Sequence, residues 1–158
     1  MTAEDFEIRV DDLRGAEIAA LLQEHLDSMH DVSPPGGVHA LDLDALRVPA
    51  VTFWSVWDGR FLAGCGALNE LDPAHGELKS MRTAASYLRR GVAARLLEHM
   101  LHVARQRDYA RLSLETGSTA AFAPAQALYE RFGFVRCGPF ADYVDNSFSR
   151  FMTLELRR

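Results

Sequence analysis

A short run of basic and small residues carries the clearest chemical signal in this sequence. It follows a predicted strand and opens a predicted helix, where backbone N–H groups have no helical partner and the positive end of the helix dipole lies. Small side chains at such a place let an anion such as a pyrophosphate come close to those groups. Alone, the run is also typical of an ordinary helix start with a solvated basic rim. Its members are Arg89, Arg90, Gly91, Val92, Ala93 and Ala94.

Two other kinds of site find no support in the spacing. His99 and His102 form an i, i+3 pair on the predicted long helix, but zinc sites need three or four ligands and no third follows at a suitable distance. We therefore predict no metal site. The serines lie in no G-x-S-x-G turn, which argues against a hydrolase triad.

Composition excludes several classes of protein. The 158 residues, 48% of them hydrophobic, suffice for a core without metal or disulfide support. A net charge of −5 argues against duplex nucleic acid as the partner. The uncharged, mostly apolar stretch over residues 48–57 is far below the roughly 18 residues of a membrane span, so we expect no membrane partner. Two distant cysteines, Cys65 and Cys137, and an acidic N-terminus favour a cytoplasmic protein with reduced thiols.

The hydrophobic pattern predicts the elements that position the basic run. Asp11 or Asp12 is the expected N-cap of the first helix, which must end before the Pro-Gly loop at residues 34–37. Asp58-Gly59 predicts a type I′ hairpin. A strand over 111–115 should run parallel to the strand over 76–83, because a helix connects them. The remaining predicted elements are a strand over 6–10, a short helix within 38–47, strands over 51–57 and 61–69, helices over 91–107 and 125–132, and strands near 134–137 and 150–156.

The helix over 125–132 completes a recognisable pair of motifs. It carries Tyr129 and stops at Gly133, and together with the arginine-glycine turn it resembles the GNAT superfamily of acyl-CoA-dependent N-acetyltransferases over about residues 53–156. The stretch 137–143, with the later Phe151-Met152, resembles a small-molecule branch of that family. The resemblance implies an α/β fold for residues 1–158 as a single GNAT-like domain. Such a domain has a mixed, mostly antiparallel sheet with a central parallel strand pair and flanking helices.

The resemblance also implies a cofactor site for acetyl-CoA. Backbone groups of Met81 and Thr83 would pair with the pantetheine amides as an added strand does, and residues 89–94 would hold the pyrophosphate. Leu88 stands where the family usually has Gln or Arg, and Phe122 stands where many members have an Asn that contacts pantetheine. Phe122 and Ala125 complete the implied cofactor-binding set.

Two residues receive catalytic roles from the resemblance. Tyr129 resembles the tyrosine that protonates the departing CoA thiolate, although a packed core tyrosine is the alternative. Glu77 matches a glutamate that serves as general base in the histone-acetylating branch, although an exposed strand-end carboxylate is the alternative. A water chain or Glu115 are further options for the base, and Glu115 could instead orient the amine. Period-two alternation predicts Glu77, Lys79 and Met81 on one face of their strand.

The implied reaction transfers acetyl from acetyl-CoA to the amine of a small molecule by direct attack in a ternary complex. A non-catalytic acyl-CoA-binding module or sensor is the competing interpretation. His30, Ser33 and His39 border the Pro-Gly loop and are candidates for contact with the acceptor. The sequence does not identify the acceptor, and a homodimer is left open.

Overall fold

The computed structural model describes residues 5–32 and 43–157, which form one seven-stranded sheet with helices on both faces. The strand order is β1-β2-β3-β4-β5-β7-β6, and only β4 and β5 are parallel neighbours. This confirms the predicted fold class. The strands are β1 (Glu7–Val10), β2 (Val51–Asp58), β3 (Phe61–Asp72), β4 (His75–Thr83), β5 (Arg111–Gly117), β6 (Val135–Cys137) and β7 (Ser149–Glu155); the helices are α1 (Ala16–Val32), α2 (Val92–Gln106) and α3 (Ala123–Arg131).

Different helices cover the two faces of the sheet. On one face, which we call the α2 face, α2 and α3 pack with Leu78 of β4 and Leu114 of β5 in one core cluster. On the opposite α1 face, α1 packs against Phe53 of β2 and Ala67 of β3. The predicted apolar stripe of α2 is buried throughout, because its spacing follows the helical repeat: Val92, Leu96, Leu97, Met100, Leu101 and Ala104.

The parallel pair separates part-way along its length. Pairing between β4 and β5 runs from His75↔Arg111 to Leu78↔Leu114, but β4 continues to Thr83 and β5 to Gly117. The backbone edges that face each other beyond Leu78 are therefore not joined by ladder hydrogen bonds. The pairing of pantetheine with Met81 and Thr83 that the resemblance implies needs an open strand edge of this kind.

A β-bulge corrects the predicted faces of β4. Cys65 pairs with Arg82 and Ala67 with Lys79, so two residues of β4 oppose the single Gly66 of β3. Ser80 in the bulge has a φ of 56°. Met81 consequently lies on the α2 face, where it packs against the core cluster of α2. The prediction that Glu77, Lys79 and Met81 share one face is wrong for Met81.

Two predicted turns also differ in detail. The hairpin loop is Gly59-Arg60 rather than Asp58-Gly59, because Asp58 still pairs with Phe61, and only Gly59 has a positive φ, as in a type II′ turn. Asp11 accepts a hydrogen bond from the N–H of Leu13, upstream of α1, and so is not its N-cap. Asp12 accepts one from the N–H of Arg14 in the same way.

The predicted helix within 38–47 appears as a single 3-10 turn at Asp44–Leu46, and residues 38–42 lie outside the described part of the chain.

Candidate functional site

A cleft of about 570 Å³ opens beside the N-terminus of α2. It brings together three segments that are distant in sequence: the end of β4, the turn into α2, and the first part of α3. Ten of the twelve predicted site residues line it, and the two that do not are Glu77 and Arg90. The ten are Met81, Thr83, Arg89, Gly91, Val92, Ala93, Ala94, Phe122, Ala125 and Tyr129.

The turn into α2 exposes helix N–H groups to the cleft. The first backbone hydrogen bond of the helix joins the N–H of Arg95 to the carbonyl of Gly91 at 3.0 Å, so the N–H groups of residues 92–94 have no partner within the helix. Gly91 is the N-cap and has a φ of 82°, a left-handed conformation that other residues adopt at a cost. A Cβ built at Gly91 would meet no atom within 4 Å. The space in front of these N–H groups is therefore open.

The charge of the cleft is opposite to that of the whole chain. Arg82, Arg89 and Arg131 line it, and none of the described lining residues is acidic. The Nε atom of Arg82 is buried and has no hydrogen-bond partner in the described part of the chain. Arg82 Nη2 is ion-paired with Glu24 of α1 at 3.3 Å. A polyanion with polar amide groups fits this surface, because Arg89, Arg131 and the free N–H donors would bind it. CoA has that chemistry.

Arg90 does not line the cleft but contacts a residue that does. Its guanidinium lies 4.5 Å from the centre of the Tyr87 ring, and the Tyr87 hydroxyl donates to Asp58 at 2.8 Å. Tyr87 itself lines the cleft. Arg90 thus packs on one of the cleft walls, and Tyr87 is a wall residue that sequence reasoning missed.

The start of α3 is held against the end of β5. The Phe122 ring lies so close to Gly117 that a Cβ there would come within 2.1 Å of it. Gln126 Nε2 donates to the Gly117 carbonyl at 2.6 Å. The Phe122 ring therefore forms a cleft wall and anchors α3, a task that an Asn at this position would not perform by packing.

Tyr129 lies at the inner end of the cleft. Its side chain is only 7% exposed, and its ring packs edge-on against Phe134 with centroids 5.8 Å apart. Burial raises the pKa of the Tyr129 phenol to about 12, so the hydroxyl keeps its proton at neutral pH. No described residue forms a side-chain hydrogen bond with it. The Tyr129 hydroxyl therefore has no hydrogen-bond acceptor among the described residues.

Glu77 lies on the other side of the sheet from the core cluster of α2. Its neighbour Leu78 belongs to that cluster, whereas Glu77 pairs across the ladder with Asn69. The Glu77 side chain is 3% exposed, and both carboxylate oxygens have partners. Asn69 Nδ2 donates to Oε1 at 3.1 Å, and the Tyr143 hydroxyl donates to Oε2. Glu77 is therefore a buried, hydrogen-bonded carboxylate rather than an exposed strand-end residue.

The same face holds a cluster of aromatic side chains around Glu115. Glu115 pairs with Phe151 across β5 and β7 and accepts a hydrogen bond from Ser149 at 2.7 Å. The Tyr143 ring lies 5.1 Å from the Phe140 ring and 5.7 Å from the Phe151 ring, measured between centroids. Tyr143 belongs to the loop between β6 and β7, where no periodic pattern singles it out.

The three residues predicted to contact the acceptor cannot be placed from the described side chains. Ser33 and His39 lie outside the described residues, as does the side chain of His30.

A second hollow of about 410 Å³ lies between the β1–α1 connection and Phe53. Among the described side chains of residues 5–24 and 43–157, no group of His, Cys, Asp or Glu is arranged to hold a metal ion. No helix within residues 5–32 and 43–157 is long and apolar enough to cross a membrane.

Comparison with known proteins decides the family. The model of the Acetyltransferase (GNAT) family matches residues 18–134. This chain belongs to the GNAT acetyltransferase family. The uncharacterised N-acetyltransferase YsnE of Bacillus subtilis is 58% identical over 149 residues, which cover 94% of this chain and 99% of YsnE. The GNAT family uses acetyl-CoA, and the name of YsnE does not specify an acceptor.

Solved structures share the GNAT fold. A Klebsiella pneumoniae protein assigned as an acyl-CoA N-acyltransferase superposes with a TM-score of 0.77 and 27% identity, covering 96% of this chain and 98% of that one. A GNAT acetyltransferase from Elizabethkingia anophelis, solved with acetyl-CoA bound, has a TM-score of 0.71 and 16% identity, covering 95% of this chain and 97% of that one. Another protein with the same fold therefore binds acetyl-CoA.

Proposed function

We propose that this protein transfers an acetyl group from acetyl-CoA directly to the amine of a small molecule, within a ternary complex. One observation carries the proposal: the cleft brings together the free N–H groups of α2, the side chains of Arg89 and Arg131, the end of β4 beyond its last pair with β5, and the Tyr129 hydroxyl. Each feature matches a different part of acetyl-CoA.

In this proposal the pyrophosphate binds at the start of α2. The N–H groups of residues 92–94 donate to its oxygens, and Arg89 adds a charge at the rim. Charge-assisted hydrogen bonds of this kind are stronger than neutral ones. Met81 and Thr83 offer backbone groups on an edge of β4 that β5 does not occupy. The pantetheine amides then complete the missing ladder, which directs the thioester towards the gap.

Tyr129 assists the departure of CoA in this proposal. A free thiol has a pKa of about 8.5, below that of the buried phenol, so proton transfer to the thiolate depends on position rather than on driving force. The cleft walls around Tyr129 are largely apolar: Met81, Ala125 and Leu128 line it too. A thiolate formed there is also poorly solvated, which favours a hydrogen bond from the phenol.

The acceptor approaches from the α1 face through the same gap. An ammonium group cannot attack a thioester until it loses a proton, so a carboxylate on that face is required or a water chain must replace it. Glu77 and Glu115 both lie there. The two substrates thus meet from opposite faces of one sheet, and their reacting atoms are held at the site where the strands separate.

A panel of amines tests the proposal. The protein is incubated with acetyl-CoA and each amine, and free thiol release is followed with the acetylated product identified by mass spectrometry. We expect saturable, amine-dependent thiol release with at least one class of amine. Saturable CoA binding without turnover on any acceptor would contradict enzymatic function and favour a binding module.

A further inference from the structure

The hydrogen bond between Tyr143 and Glu77 determines how a proton can reach this carboxylate. Glu77 is 3% exposed and does not line the cleft, so an amine cannot contact it directly without displacing a neighbour. Asn69 occupies one carboxylate oxygen from β3. The Tyr143 hydroxyl occupies the other. Tyr143 is itself half-buried, so it connects the buried oxygen with the more open part of the α1 face.

Tyr143 is fixed in this position by its surroundings. Its ring packs between Phe140 and Phe151, which are both buried. Phe151 is the ladder partner of Glu115, the first residue of β5 beyond the last pair with β4. Tyr143 therefore lies at the mouth of the gap in which the thioester and the amine are proposed to meet.

We propose that the Tyr143 hydroxyl relays the proton of the acceptor ammonium to Glu77. The ammonium N–H donates its proton to the Tyr143 oxygen while the phenolic O–H proton passes to Glu77 Oε2. The amine leaves the step neutral with a free electron pair, Tyr143 is again a neutral phenol, and Glu77 becomes a carboxylic acid. This inference rests on the proposed function and deepens it, because it assigns the proton path.

The electrostatics suit a relay rather than an end point. Burial raises the pKa of Tyr143 well above its ordinary value, and the hydrogen bond to Glu77 and the charges of Glu77 and Glu115 raise it further. A tyrosinate is therefore strongly disfavoured, so the phenol can give its proton to Glu77 only as it receives another from the ammonium. A hydroxyl can accept and donate at once, which a concerted transfer requires.

Other charged groups face Glu77 and need controls. His75 and Lys79 share its face of β4, and Glu115 lies on the adjacent strand. Burial lowers the pKa of His75, and its ring is hydrogen-bonded to Ser113 at 2.6 Å. A His75→Gln variant tells whether an acidic limb in the rate profile belongs to this histidine.

The experiment compares Tyr143→Phe, Glu77→Gln and the double variant in single-turnover acetyl transfer across pH. We expect each single variant to lose about 10²-fold or more in rate, the acidic limb to disappear in both, and the double variant to fall no further. Tyr109→Phe is the matched control, because Tyr109 is a buried tyrosine that donates to Glu70 at 2.8 Å on the α2 face. It should keep the wild-type rate and profile.

A measurement on the wild type removes any dependence on how the variants fold. Rates in mixtures of H₂O and D₂O should curve with deuterium content, because two protons move in one step. A Tyr143→Phe variant that keeps the acidic limb, or a straight-line dependence in the wild type, would overturn the relay alone. A wild type inactive with every amine would overturn the proposed function, and the relay with it.

Discussion

The two faces of the sheet differ in charge and in construction. The cleft beside α2 is lined by Arg89, Arg131 and Arg82, of which Arg82 is ion-paired with Glu24 of α1, and none of its described walls is acidic. The α1 face presents Glu77 and Glu115 beside the same gap. At the start of α2 the cleft offers backbone N–H groups beside small side chains. The opposite face depends on hydrogen bonds between specific side chains, such as Tyr143 to Glu77.

Under the proposed function, this difference separates the two substrates. The basic cleft would attract the anionic cofactor, and Glu77 and Glu115 would attract a cationic amine to the opposite face. The sheet separates them except where β4 and β5 diverge. Variants on each face should therefore damage different steps.

Glu77→Gln is expected to have the largest effect, and only on the acceptor side. The amide keeps the shape of the side chain but cannot take a proton, so turnover at neutral pH should fall roughly 10² to 10⁴-fold with CoA affinity nearly unchanged. Steady-state rates and calorimetry check both parts. Glu70→Gln, which alters the carboxylate bonded to Tyr109, is the control. Wild-type pH dependence in Glu77→Gln would instead support water-relayed deprotonation or Glu115.

Tyr129→Phe should come next, with a loss of turnover of roughly 10²-fold. The ring that packs against Phe134 is kept, and no described residue bonds to the lost hydroxyl, so melting temperature and CoA affinity should stay near wild type. A large drop in stability would reveal a structural hydroxyl. Unchanged chemistry in single-turnover kinetics would remove Tyr129 from the catalytic list.

Gly91→Glu should weaken CoA binding by about 1 to 3 kcal/mol, because a carboxylate would stand in front of the free N–H groups and repel the pyrophosphate. Two controls separate charge from backbone strain. Gly91→Ala has the same left-handed strain at φ 82° without the charge, and Gly59→Glu adds strain and charge in a hairpin outside the cleft. Unchanged calorimetric affinity in folded Gly91→Glu would rule out this site.

Cys65→Ala should have the smallest effect. Cys65 lines the cleft, and burial, followed by the charge of Asp11, raises the pKa of its thiol to about 12, so it remains protonated at neutral pH. Because a thiolate is the nucleophilic form, transfer through an acyl-cysteine is not expected, and turnover should stay within about threefold of wild type. Loss of most activity, with Cys137→Ala unaffected, would indicate a covalent intermediate instead.

The sequence predicted the cleft better than the opposite face, for a physical reason. A glycine turn and the apolar stripe of α2 are local patterns, and they position the N–H groups of residues 92–94 without any distant partner. Glu77 and Tyr143 are 66 residues apart and meet only through tertiary packing. No glycine or proline within residues 77–83 of β4 marks the bulge at Ser80, so alternation placed Met81 on the wrong face. Close contacts such as Phe122 on Gly117 likewise leave no periodic signal.

Amide hydrogen exchange with and without CoA tests the central claim most directly. If the cleft binds CoA as proposed, protection should appear at the N–H groups of residues 91–94 and at Met81 and Thr83, while the hollow near Phe53 stays unchanged. Saturable CoA binding with no added protection at residues 91–94, or with protection concentrated around that hollow, would contradict the account.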